Sequence, residues 1–238
     1  MAYNFYDCRV VDIIDESDIV KRYFIRFEEG VPFSFKPGQF VMIDLPIESK
    51  VTNRSYSIAS APSDDHVFEL AIVINPKGIG TPYIFNHVQR GSILKCTLPL
   101  GKFRLPEPID ADLCFVCTGT GIAPLRSMTL DIFNKQLPHK NIYLVFGNRF
   151  TKDILYRSEL ESLQEQHYEF KFIPTLSREN PGWKGRTGYV HPVYEELFND
   201  KRPAYFFVCG WPDMIREART RIEAMGYDKK RIKFELYD

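Results

Sequence analysis

Leu113-Cys114-Phe115-Val116-Cys117-Thr118-Gly119-Thr120-Gly121-Ile122-Ala123-Pro124 is the stretch on which the fold turns. Residues 113–117 form an apolar run of strand length, the pattern of a strand buried in a sheet core. Two glycines follow, which permit a tight turn and close approach of other groups to the backbone. Pro124 then suits the first turn of a helix. A helix start reached through such a loop presents N–H groups and the positive end of its dipole. Strand, glycine loop and helix in that order can receive a dinucleotide pyrophosphate at the helix start.

Cys114 and Cys117 form a C-x-x-C inside this strand. Positions three apart on a strand face opposite sides, so the two sulfurs diverge. The other cysteines are Cys8, Cys96 and Cys209, scattered singly along the chain. The pattern predicts core packing, with no zinc site, iron–sulfur centre or disulfide framework.

Downstream, apolar strands alternate with amphipathic helices. Strands are predicted at 142–146, 170–175, 205–209 and 232–237, and helices at 158–167, 192–198 and 212–225. This alternation calls for a Rossmann-like, doubly wound parallel sheet with helices on its faces. Upstream, Leu105-Pro106-Glu107-Pro108 marks a domain joint. Before it, short β-rich runs at 8–14, 22–27, 40–45, 55–59, 67–74 and 93–98 are divided by glycine and proline. These six runs read as an antiparallel barrel or sandwich, with one helix at 82–90. The expected domains are therefore 1–106 and 107–238.

The chain of 238 residues has 31 basic and 31 acidic side chains, so its formal net charge is zero. That balance gives no electrostatic reason to expect nucleic acid or an anionic membrane as partner. No apolar run approaches the roughly 20 residues needed to span a bilayer. The N-terminus lacks the basic start and apolar core of a secretory signal, so the expected location is the cytoplasm.

Arg54-Ser55-Tyr56-Ser57-Ile58-Ala59-Ser60 is the strongest chemical signal. Residues 54 and 56 share one strand face. There a guanidinium suits phosphate oxygens and an aromatic ring suits a flat ring system. The segment resembles the flavin-binding strand, Arg-x-Tyr-Ser-x-x-Ser, of the ferredoxin–NADP reductase family. Further resemblances appear in chain order. Pro37-Gly38-Gln39-Phe40 is similar to the turn before the flavin strand. Gly78-Ile79-Gly80-Thr81-Pro82 is similar to the flavin pyrophosphate turn, with Thr81 expected as the helix N-cap and Pro82 at its first position. Cys209-Gly210 resembles the strand end beside the nicotinamide, and Phe234-Glu235-Leu236-Tyr237 resembles the Glu-x-Tyr ending, here followed by Asp238.

The resemblance implies an N-terminal antiparallel six-stranded β-barrel that binds FAD, held by Arg54, Tyr56, Ser57, Ile58, Gly80 and Thr81, followed by a Rossmann-like domain. It implies a nicotinamide dinucleotide on the second domain, at residues 118–121 and at Cys209 and Gly210. Ser57, Cys209, Glu235 and Tyr237 are its expected catalytic residues, in a cleft between the domains. Ser177, Arg178, Arg186 and Tyr189 are expected to read a ribose 2′-phosphate, which favours NADP over NAD. The implied activity is transfer of electrons from NADPH through FAD to an acceptor protein such as a ferredoxin. A flavin reductase and the reductase component of an oxygenase system remain alternative readings. A non-enzymatic nucleotide-binding module is disfavoured, because the Arg-x-Tyr-Ser strand, the pyrophosphate loop and the Cys-Gly motif are intact.

Overall fold

β-Branched and aromatic residues alternate with polar ones through the first third of the chain, and this period of two folds there into strands. The computed structural model describes residues 3–48, 52–178 and 181–236. The chain divides into two compact units, residues 1–105 with 123–135, and residues 106–122 with 136–238.

The first unit holds β1 (Phe5–Ser17), β2 (Val20–Phe27), β3 (Phe40–Asp44), β4 (Asn53–Ser57), β5 (Val67–Val73), helix α1 (Gly80–His87) and β6 (Ile93–Thr97). All its strand pairs are antiparallel, in the order β4-β3-β6-β1-β2-β5. A bridge between Ile58 and Leu70 joins the two edge strands and closes the sheet into a barrel. Closure leaves no long edge exposed. The barrel core gathers Val10, Tyr23, Ile25, Val41, Ile43, Phe68 and Leu70, the inward residues of alternating strands.

The second unit holds β7 (Asp112–Thr118), β8 (Ile142–Asn148), α3 (Arg157–Gln166), β9 (Phe170–Leu176), the short β10 (Arg186–Thr187), α4 (His191–Leu197), β11 (Ala204–Gly210), α5 (Pro212–Ala224) and β12 (Ile232–Leu236). Its sheet is parallel, in the order β10-β9-β8-β7-β11-β12. The order reverses between β7 and β11, and the carboxyl ends of strands at such a switch point are where open α/β sheets take ligands. At the amino ends, Asp112 binds the strands together. It accepts from the backbone and side-chain amides of Asn141 at 3.1 Å each and from Arg202 Nε at 2.8 Å. Cys114 joins the apolar cluster beneath α4 and α5, whereas Cys117 takes the other face in register with Cys209. Burial pushes the Cys114 and Cys117 thiols far above the usual cysteine range. All five cysteines are buried and none forms a disulfide.

The helix that follows β7, α2 (Ile122–Asn134), belongs with the barrel unit from residue 123 onward. Its attachment is ionic as well as apolar. Glu69 of β5 is only 2% exposed, and its carboxylate accepts from Arg22 Nε at 2.7 Å and from Arg126 Nη1 at 3.2 Å. Arg22 reaches Glu16 as well, at 3.4 Å.

Among the described residues no helix is long and apolar enough to cross a membrane.

Removing one partner of a buried ion pair leaves the other charge uncompensated. Glu69→Gln is therefore expected to lower the unfolding free energy by about 3–5 kcal/mol in a urea titration. A loss under about 1 kcal/mol would mean that the two guanidiniums do not depend on this carboxylate.

Candidate functional site

In the barrel, β4 presents Arg54 and Tyr56 on one face, opposite Ile43 and Val41 of β3. The Arg54 side chain lies against the first turn of α1. A Cβ on Gly80 would stand 3.1 Å from Arg54 Nε and 3.3 Å from its Cγ. A guanidinium and the amino end of a helix thus meet at one point, which suits a pyrophosphate. Tyr56 is half-buried, and its hydroxyl is buried with no hydrogen-bond partner. Burial raises the Tyr56 phenol well above the ordinary tyrosine range, partly offset by Arg54. Ser57, on the alternate face, is 5% exposed. Ile58 is fully buried, and its N–H donates to Gln39 O at 2.9 Å. Any contact from Ile58 to a ligand is thereby left to its carbonyl.

Thr81 is not the N-cap. The helix begins one residue earlier, at Gly80, with Ile79 in the capping position and no side-chain cap. The Thr81 hydroxyl instead accepts from the Asn75 N–H at 2.8 Å, holding the turn that leads into the helix. Nothing in sequence separates a capping threonine from one that serves the preceding turn, because both use the same oxygen.

Beside this turn runs a groove of about 580 Å³, lined by Pro46, Ile47, Ile79, Tyr83, Asn86 and His87 among others. The Tyr83 and His87 rings lie 4.9 Å apart. Their i,i+4 spacing on α1 is the only sequence signal for this groove, and it names no ligand.

In the second unit the expected pyrophosphate loop forms a tight 3-10 turn, Gly119–Gly121, after β7. The loop is locked to the end of β11. A Cβ on Gly121 would overlap the Cys209 carbonyl, and one on Gly210 would overlap the Thr118 hydroxyl. Gly210 also holds φ of +134°, where side chains are strained. The Trp211 N–H donates to Thr118 Oγ1 at 3.1 Å. Two strand ends therefore meet as bare backbone at the switch point.

Cys209 is fully buried, in register with Cys117 on one side and Glu235 on the other. Tyr237 lies outside the described residues.

The four residues expected at the 2′-phosphate converge on the carboxyl end of β9. β10 pairs Arg186 with Thr175 and Thr187 with Leu176, while the Arg178 N–H beyond the end of β9 donates to Arg149 O at 3.2 Å. Gly188 N donates to Leu176 O at 2.8 Å. Ser177 bonds Asn148 O through both N–H, at 2.9 Å, and hydroxyl, at 3.2 Å. Tyr189 is 73% exposed, and Arg178 is exposed. Arg186 is already engaged, both its terminal nitrogens donating to Glu196 at 2.6 and 2.8 Å.

The profile of the oxidoreductase FAD-binding domain matches residues 7–105, and that of the oxidoreductase NAD-binding domain matches residues 115–220. The chain is 33% identical over 240 residues to ferredoxin–NADP reductase B of Sorangium cellulosum, covering 98% of each protein. It is 30% identical over 235 residues to the glycine betaine monooxygenase reductase subunit of Pseudomonas aeruginosa, covering 96% of this chain and 63% of that protein. The solved cytochrome P450 reductase of Amycolatopsis superposes with a TM-score of 0.87 at 26% identity, over 100% of this chain and 71% of its own. A ferredoxin NADP+ reductase of Neisseria gonorrhoeae, solved with FAD and NADP, shares the fold at a TM-score of 0.83 and 22% identity, over 99% of both. With both domain profiles matched in chain order and a relative aligned along its full length, the chain belongs to the ferredoxin–NADP reductase family, as an FAD- and nicotinamide-dinucleotide-dependent oxidoreductase.

Proposed function

We propose that the protein oxidises NADPH and passes the electrons, one at a time, to a ferredoxin. FAD, when bound, accepts a hydride from the dinucleotide and releases its two electrons singly. The protein's own groups bind, orient and shield. The observation that carries the FAD assignment is the Arg54 side chain seated on the first turn of α1 at Gly80.

There Arg54 and the helix start hold the FAD pyrophosphate, in a fork geometry that lysine lacks. The groove along Tyr83 and His87 takes the adenosine half, which favours FAD over a mononucleotide. Tyr56 packs against the flavin ring, and its buried hydroxyl gains the partner that the protein itself does not supply. Ser57 donates a hydrogen bond at the reactive edge of the ring. Cys209 and Glu235, neighbours across β11 and β12, position the nicotinamide.

On the second unit, the bare backbone of Gly119 to Gly121 receives the dinucleotide pyrophosphate. Ser177, Arg178 and Tyr189 read the ribose 2′-phosphate, with Arg186 in support once it exchanges Glu196 for the ligand. Two hydroxyls and a guanidinium at one strand end favour NADP over NAD. The ferredoxin assignment rests on sequence similarity. The relative named for ferredoxin is 33% identical to this chain, whereas the oxygenase reductase subunit is 30% identical. Buried cysteines that form no disulfide support a reducing cytoplasmic location.

Arg54→Ala is expected to weaken FAD retention by about 1.5–3 kcal/mol, the scale of a charge-assisted hydrogen bond. Equilibrium dialysis of the flavin reads this as roughly a 10- to 150-fold rise in Kd, and an unchanged Kd removes Arg54 from the site. Arg178→Ala is expected to raise KM for NADPH about 10-fold or more while leaving KM for NADH within about 2-fold. Equal effects on the two dinucleotides would show that Arg178 does not select between them.

A further inference from the structure

We infer that Arg126 and Ser127 are positioning residues that couple the dinucleotide loop to the flavin strand, so that filling one site tightens the other. The inference rests on the functional reading above and extends it. It starts from the placement of α2. In the chain, the helix follows the Gly119–Gly121 turn without a break, yet from residue 123 it belongs with the barrel. Its first turns are tied to the segment immediately after Ser57.

The tie is specific. Arg126 is 6% exposed, and its Nη1 donates to Ala59 O at 2.7 Å and to Glu69 Oε2 at 3.2 Å. Ser127 is fully buried and its hydroxyl donates to Ser60 O at 2.6 Å. The same two residues are held from β5, where Ala59 N donates to Glu69 O at 2.8 Å and Glu69 N to Ser60 Oγ at 3.1 Å. Ala59 and Ser60 thus sit between a helix and a strand, bonded to both. Further along α2, the buried Met128 abuts Gly38 of the turn that leads into β3.

The geometry sets the direction of the coupling. A dinucleotide pyrophosphate on residues 119–121 fixes the start of α2. Fixing α2 fixes Arg126 and Ser127, four to six residues along. These hold Ala59 and Ser60, two and three residues after Ser57. Every link is a backbone continuity or a hydrogen bond at least partly shielded from solvent, and a helix turn transmits displacement with little slack. A surface ion pair would not serve, because solvent competes for both partners. Thermodynamic linkage makes the effect reciprocal, since a ligand that favours one arrangement of α2 favours the partner ligand's site equally.

The test must separate coupling through the protein from direct contact between nicotinamide and flavin. ADP-ribose and its 2′-phosphate carry the pyrophosphate but no nicotinamide, so any effect on FAD reports the protein route alone. The Kd for FAD is measured on the full chain with and without a saturating amount of whichever of the two binds more tightly. Binding of that probe is followed separately by calorimetry. The wild-type chain is expected to hold FAD about 5-fold or more tightly when the probe is bound, the lower end of typical couplings.

In Arg126→Gln that ratio is expected to fall to about 1. Arg126→Lys, which keeps the charge, restores part of it. A merely structural role would weaken FAD binding equally with and without the probe, leaving the ratio intact, and that result overturns the inference. Should Arg126→Gln fail to fold, Ser127→Ala removes a single hydroxyl and leaves the ion pair in place. An unchanged ratio in that variant overturns the inference equally. A wild-type chain that binds both ligands with a ratio of 1 defeats the coupling alone. A wild-type chain that binds no FAD defeats the functional reading instead.

Discussion

At the carboxyl ends of β7 and β11 two chain segments approach until no side chain fits between them, and the proposed dinucleotide site depends on that contact. Gly121 faces the Cys209 carbonyl, and Gly210 faces Thr118. Because the strand order reverses at this pair, the loops leaving them diverge to opposite faces of the sheet, and the gap above the strand ends opens to ligand. A ligand there meets N–H groups and peptide dipoles in place of side chains. The protein uses a related device on the barrel, where the absent side chain of Gly80 lets Arg54 lie on the start of α1. Both proposed phosphate sites thus rest on close approach to backbone, with charge supplied afterwards.

Charge is sorted by burial. Although the net formal charge is zero, the buried carboxylate of Glu69 carries two guanidiniums, while Arg178 and Tyr189 remain at the surface near the end of β9. The buried set fixes shape, since its members cannot separate without stranding a charge. The surface set is the one proposed to meet a dianionic phosphate, which would shed less water from each partner there. Arg186 stands between these cases, exposed yet held in a two-point grip by Glu196.

Local pattern made most of the architecture legible. All six barrel strands and the five main strands of the parallel sheet fall where alternation or apolar runs placed them, with ends shifted by a few residues. The Arg54–Tyr56 face was legible too, because a strand's period of two needs no tertiary information. What sequence did not reveal has a common cause. The Glu69–Arg126 pair joins positions 57 apart, and no local rule links them. β10 has only two residues, too few for any periodic signal, and exists because β9 offers it an edge. The role of Thr81 depended on which of two nearby N–H groups its hydroxyl met. The groove beside α1 is formed by segments 30 residues or more apart in the chain.

The most direct test of the central claim is the absorbance spectrum of the purified chain, recorded without oxygen before and after addition of NADPH. The account predicts a yellow protein whose flavin band bleaches on adding NADPH, and bleaches more slowly with the same amount of NADH. A colourless protein that takes up no added FAD would contradict it.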